Sequence, residues 1–271
     1  MVIEPMEAEA NAVESIGRDT EAYSARNSSK GALIAEARVV FRALASGMAR
    51  EEVQRACLSG RLFRQKARET RRRIWQALNW RFFIWAPPAW VLADLTSASL
   101  DAASEKHFVG LVYLHTVRRD RLTFDFVTQA LWTLWRSDVR RVRRDDVMDF
   151  IAENVSLGPA KWRESTRVKV AGNVLSALRD FGLLSGVQRK VLQRPDVDLD
   201  VVLHLCHLLQ AEGLRGRALL EAQDWRLFLW GSEETAHAMA RLAQRGDVRF
   251  ERSGGTVILE VPERPVIGGE G

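Results

Sequence analysis

A mainly α fold is predicted: a helical bundle followed by winged helix-turn-helix-like regions with small β-hairpin wings. Three observations predict it. Apolar residues recur at three- and four-residue steps from Gly31 to Trp135, the period of a helix with one buried face. A helix, a tight turn, a second helix and a short strand follow one another between Asp145 and Gln193. Near the end, two alternating stretches, 247–251 and 256–261, flank Arg252-Ser253-Gly254-Gly255, a hairpin signal.

The elements divide the chain into five parts. Residues 1–29 hold six acids (Glu4, Glu7, Glu9, Glu14, Asp19, Glu21) and no periodic apolar pattern, and are expected to be a disordered acidic tail. Residues 30–137 are expected to be a helical bundle. Its first helix carries Leu33, Ala37, Val40, Phe41 and Leu44, and a short one spans 51–58. A longer one over 65–83 sets Ile74, Trp75 and Leu78 among arginines. Pro88 is placed to open the next helix, because its fixed φ suits a first turn. Helices over 104–118 and 122–135 close the bundle, with Phe108, Leu111, Val112 and His115 sharing one face of the former. The nine tryptophans read as core rather than as a base-stacking platform.

Residues 138–200 are expected to form a winged helix-turn-helix-like region. One helix spans 145–154, and Leu157-Gly158-Pro159 makes the turn. Ser165 is placed to cap the second helix, 166–181, and Gly182 to end it. Residues 187–193 read as a strand. Residues 201–262 repeat the pattern as a second helical and winged region, with helices over 201–210 and 233–244. Residues 263–271 are a Gly- and Pro-rich end, expected to be disordered.

The net charge is +5, and arginine supplies most of the positive charge. Its planar fork suits phosphate. Five arginines fall within nine residues, Arg136 to Arg144. The expected DNA contacts are Arg140, Arg141, Arg143 and Arg144 from this run and Lys161 and Arg163 before the second helix. Arg167, Lys169, Asn173, Ser176 and Arg179 are expected on that helix's polar face, and Arg189 and Lys190 at the wing. Arg71, Arg72 and Arg73 are possible additional phosphate contacts.

Other chemistries lack a signature. GxxxxGK[ST], GxSxG and HExxH are absent, so no catalytic centre and no cofactor is expected. His204, Cys206 and His207 lack further ligands nearby and read as interior residues, so no metal is expected. Asp196, Asp198 and Asp200 open like a calcium loop but lack its later ligands, and read as a turn with a helix cap. Cys57 and Cys206 form no paired framework and read as buried hydrophobes in a reducing compartment. The longest uncharged stretch, 82–93, is too short for the ~20 residues of a membrane helix and holds two prolines. It reads as a buried turn, and no signal peptide is read at the start, so a cytoplasmic protein without a membrane partner or a small-molecule substrate is expected.

Three stretches carry a family resemblance: 106–137 (KHFVGLVYLHTVRRDRLTFDFVTQALWTLWRS), 143–151 (RRDDVMDFI) and 161–184 (KWRESTRVKVAGNVLSALRDFGLL). With the helix from Gly31 they cover residues 30–200, and the chain resembles the BrxA family of BREX bacteriophage-exclusion systems. The resemblance implies a helical protein with winged-helix-like parts that binds double-stranded DNA. It also implies a non-enzymatic role beside a methyltransferase, an ATPase and other defence proteins. A protein–protein adaptor and an RNA-binding bundle are the alternatives.

Overall fold

A computed structural model describes residues 16–26, 31–101, 105–254 and 256–264. Helices dominate, with two small antiparallel sheets. The first five helices are α1 (Ile34–Ala45), α2 (Arg50–Ser59), α3 (Arg68–Phe82), α4 (Ala89–Leu100) and α5 (Glu105–Arg118). Phe41 of α1 is the aromatic centre of this bundle. It meets Phe82 edge-on at 5.3 Å, with Phe83 at 5.9 Å and Phe108 at 6.3 Å, an arrangement that suits ring quadrupoles. All nine tryptophans are buried or half-buried, as expected of core residues. Pro88 is the N-cap of α4. The link before it is not wholly buried: Phe82 and Phe83 are inside, whereas Ile84 is 60% exposed.

A long helical run leaves the bundle, built as α6 (Arg121–Asp125), a π-helical segment (Phe126–Leu131) and α7 (Trp132–Arg136). Strand β1 (Arg141–Val142) follows, then α8 (Arg144–Glu153), two short 3-10 turns around Gly158, and α9 (Glu164–Asp180). Strands β2 (Leu184–Ser185) and β3 (Lys190–Leu192) return as a hairpin, and the sheet order is β1-β3-β2. That is the connectivity of helix, strand, helix, helix and two-stranded hairpin. Its core is Val147, Phe150 and Ile151 of α8 against Val170, Val174 and Leu178 of α9.

The final region holds α10 (Leu199–Ala211), α11 (Gly216–Leu220), a 3-10 helix (Gln223–Phe228), α12 (Ser232–Arg245) and the hairpin β4 (Arg249–Ser253) and β5 (Thr256–Glu260). Asp198 caps α10, accepting from the Asp200 amide at 2.9 Å. Both cysteines are free and buried. No helix among the described residues is long and apolar enough to cross a membrane.

The expectation of a disordered tail to residue 29 is corrected for residues 16–26. The Tyr23 ring is buried, its amide donates to the Leu157 carbonyl at 2.6 Å, and its hydroxyl donates to Asp125 at 3.0 Å. Arg121 Nη1 donates to the Thr20 and Glu21 carbonyls. One aromatic residue and several backbone hydrogen bonds suffice to order a segment whose polar composition hides them. Residues 1–15, 27–29 and 265–271 of the expected tails lie outside the described residues. At the other end Arg264, placed in the expected disordered end, is paired with Asp94 at 2.6 Å. The cap of α9 is likewise corrected: its N-cap is Arg163, and Ser165 lies within the helix.

Candidate nucleic-acid interface

The three-stranded sheet brings distant cations together. In the β1–β3 ladder Arg141 faces Val191 and Val142 faces Lys190. Continuing that register by one residue sets Arg143 opposite Arg189, at the turn of the β2–β3 hairpin. Arg141, Arg143 and Arg144 are exposed where β1 enters α8, and Arg189 is exposed in the β2–β3 turn. Lys161 and Arg163 are exposed just before α9, and Lys169 on it. Among the described residues none of these seven side chains is in an ion pair. The Arg143 amide, by contrast, is satisfied by Asp146 Oδ2 at 2.6 Å, which starts α8.

The remaining expected contacts are held by the protein itself. Arg140 stacks on Trp135 at 3.9 Å, pairs with Asp138 at 2.6 Å and donates to the Trp135 carbonyl. Arg167 is half-buried and donates to the Pro159 carbonyl at 3.2 Å. It lies three residues from Val170 and four from Ala171, both buried, so helical phase turns it toward the turn rather than away from it. Asn173 is half-buried and lines a small cavity with Arg81 and Phe181. Arg179 pairs with Asp180 at 2.8 Å and reaches Ser176 Oγ, and Lys190 Nζ donates to the Val187 carbonyl. The expected polar face of α9 therefore presents Lys169 fully and the other four only in part.

The 71–73 triplet also divides. Arg71 donates to the carbonyls of Leu58, Gln65 and Lys66 at 2.6–3.0 Å, closing the loop before α3. Arg72 and Arg73 share Glu69, each at 2.8 Å, and their hydrogen bonds pull its carboxyl down to about 2. In the 201–262 region Arg217, Arg245, Arg249 and Arg252 are paired with carboxylates, whereas Arg215, Arg226 and Arg241 are exposed and in no ion pair among the described residues. Arg249 meets Glu251 and Glu260, Arg252 meets Glu233, and Arg245 meets Asp200 and Asp247.

Sequence reasoning missed two buried polar clusters. His204 Nδ1 is 2.7 Å from Asp94 Oδ2, and its Nε2 is 2.9 Å from His115 Nε2. Arg118, 1% exposed, pairs with both Glu212 and Asp224. The signal was present: His115 and Arg118 follow the apolar run Phe108–Leu114 at positions that continue the buried face of the helix. Among the described residues no group of three or more His, Cys, Asp or Glu is placed to hold a metal.

The fold defines a class, a mainly helical protein whose second half carries two small antiparallel sheets. The family is more specific. The BrxA family model matches residues 21–208, and the chain belongs to the BrxA family. Membership points to an accessory protein of BREX phage defence. A solved structure of an uncharacterized protein from Magnetospirillum magneticum is similar at TM-score 0.57 and 17% identity. It covers 73% of this chain and 97% of its own, a likeness of fold alone. A search of the curated proteins gives no match.

Proposed function

We propose that the chain is a non-enzymatic accessory protein that binds double-stranded DNA within its defence system, through the unit running from α6 to β3. The observation that carries this reading is the set of seven exposed cations without ion pairs among the described residues, drawn from β1, the start of α8, the start of α9 and the β2–β3 turn. In helix-turn-helix complexes the second helix enters the major groove by its N-terminal residues, while flanking basic groups hold phosphates. Lys161, Arg163 and Lys169 occupy the first role, and Arg141, Arg143, Arg144 and Arg189 the second. Few side chains of α9 are free to read bases, so binding is mainly to phosphate, with weak sequence preference.

The test is fluorescence anisotropy of a labelled duplex across a salt series. Six or seven phosphate contacts give a log–log slope near −6, a loss of roughly 10³-fold between 50 and 200 mM salt. Replacing Arg141, Arg143, Arg144 and Arg189 by Ala is expected to reduce the slope by about 3 to 4. A flat salt response, or preference for RNA in competition, overturns the reading.

The paired arginines of the 201–262 region favour a second role there. A hairpin whose arginines Arg249 and Arg252 are neutralised by Glu251, Glu260 and Glu233 suits docking of a defence partner such as the methyltransferase or ATPase better than phosphate. Pull-down of those partners by the chain with its four winged-unit arginines replaced tests this adaptor role separately.

A further inference from the structure

The most cationic stretch of the molecule lies outside the winged unit. Between Arg61 and Arg73 there are seven cations and one carboxylate, Glu69. Arg71 is the hub that folds this stretch into one corner. Its guanidinium reaches Leu58 at the end of α2 and Gln65 and Lys66 in the following loop, while its own backbone sits in the first turns of α3. The loop is thereby clasped against α3, and Arg61, Arg64 and Lys66 are set beside Arg68, Arg72 and Arg73.

All six are exposed. Glu69 is shared between Arg72 and Arg73, and Glu36, the nearest acid of α1, is engaged by Gln65 at 2.8 Å. Arg61, Arg64, Lys66 and Arg68 have no ion pair and no side-chain hydrogen bond among the described residues. The start of α3 adds the positive pole of a fifteen-residue helix. No large exposed hydrophobic residue lies in this stretch among the described residues. Protein interfaces and membrane-inserting surfaces both draw their affinity from such anchors. A dense cationic surface without them fits a polyanion whose charge is regularly spaced.

We propose that the α2–α3 corner is a second phosphate-contacting surface for duplex DNA, separate from the winged unit. The C-terminal end of α3 meets α9, where Arg81 and Asn173 line one cavity. Arg68 stands thirteen residues back along α3, about 20 Å at the helical rise. The two surfaces together therefore engage a longer stretch of duplex than the winged unit alone, or two segments at once. The proposal shares with the reading above the premise that DNA is the ligand, but rests on different residues.

The full chain carrying R61A/R64A/K66A/R68A is compared with wild type on a 40-bp duplex by anisotropy across salt. The expected result is at least a fivefold loss of affinity at 100 mM salt and a slope reduced by about 3 to 4, near 0.9 for each phosphate no longer neutralised. The charge-preserving variant R61K/R64K/R68K is expected to bind within about twofold of wild type, because a phosphate contact of this kind needs the charge. Unchanged affinity and slope in the alanine variant overturn the proposal, even where the winged-unit variant is impaired. Loss in the corner variant with full binding by the winged-unit variant supports it while removing the earlier reading. Absence of any DNA binding by wild type removes both. Loss of binding to phosphatidylglycerol vesicles with DNA binding intact makes the partner a lipid surface and overturns the proposal.

Discussion

His115 Nε2 lies 2.9 Å from His204 Nε2, joining α5 of the bundle to α10 of the last region. The other nitrogen of His204 faces Asp94, so it carries the proton, and His115 donates to the free lone pair of His204. Burial holds both imidazoles below their usual range, with Arg118 adding to the effect on His115, and with Asp94 opposing and Arg264 adding to it on His204. Burial also acts to raise the Asp94 carboxyl, but His204 and Arg264 outweigh it and keep Asp94 low. The pair is thus two neutral rings on an ionised carboxylate.

This arrangement makes stability depend on pH. Histidines whose folded pKa lies below the unfolded value of 6.5 leave the unfolded chain holding more protons, so stability falls as pH drops through that value. His207, lowered to about 4 mainly by burial, acts in the same sense. The Tm is expected to be level from pH 8 to 7 and to fall between pH 6.5 and 5. The fall is expected to be smaller in His115→Phe; an equal fall would show that the pair is not its source.

Arg118 tests the second buried cluster. Burial acts to raise the Glu212 carboxyl, and the charge of Arg118 opposes that rise. Replacing Arg118 by Met leaves Glu212 without its ion-pair partner and Asp224 with only Arg18, at 3.9 Å. Urea unfolding is expected to show a loss of about 3–5 kcal/mol. A loss below 1 kcal/mol would mean that the cluster is open to water.

Gly158 tests the link between the N-terminal segment and the turn before α9. Its φ is +117°, and a Cβ there would stand 3.1 Å from the Tyr23 carbonyl oxygen. Gly158→Ala is expected to cost about 1–3 kcal/mol in urea unfolding, because an L side chain is strained there whatever the space. The Tyr23→Phe variant keeps the ring and loses only the hydrogen bond to Asp125, so its cost is expected to be smaller, near 1 kcal/mol. Equal stability of Gly158→Ala and wild type would remove the link.

Arg167 and Lys169 separate support from contact on one helix. Arg167 is half-buried against the Pro159 carbonyl, whereas Lys169 is exposed. Arg167→Ala is expected to lower stability by about 1 kcal/mol. Lys169→Ala is expected to leave the Tm unchanged and to weaken duplex binding two- to fivefold. The opposite pattern would mean that α9 presents its other face to DNA.

The periodic parts of the fold were legible in the sequence. Helices appeared within a few residues of their positions because Val170, Val174 and Leu178, like Leu111 and His115, repeat at the helical period. The β4–β5 hairpin was legible from its alternation. Strand β1 was not, because two residues in an arginine run carry no alternation and become a strand only by pairing with β3. The candidate site was legible as a set of cations rather than as a surface. Arg140, Arg167 and Arg71 look like Arg141, Arg163 and Arg68 in sequence, yet the former are held by carbonyls, a carboxylate or a tryptophan.

The sequence by itself determined the helical class, the order of the elements, the absence of a long apolar helix and the abundance of arginine. These follow from local periodicity and composition, which each segment carries within itself. Only the tertiary structure decided which arginines stay in water, that Tyr23 ties residues 16–26 to the rest of the fold, and that His115, His204 and Asp94 meet. The reason is that a side chain's partner is chosen by groups far away in sequence, and no local pattern encodes the distance between them.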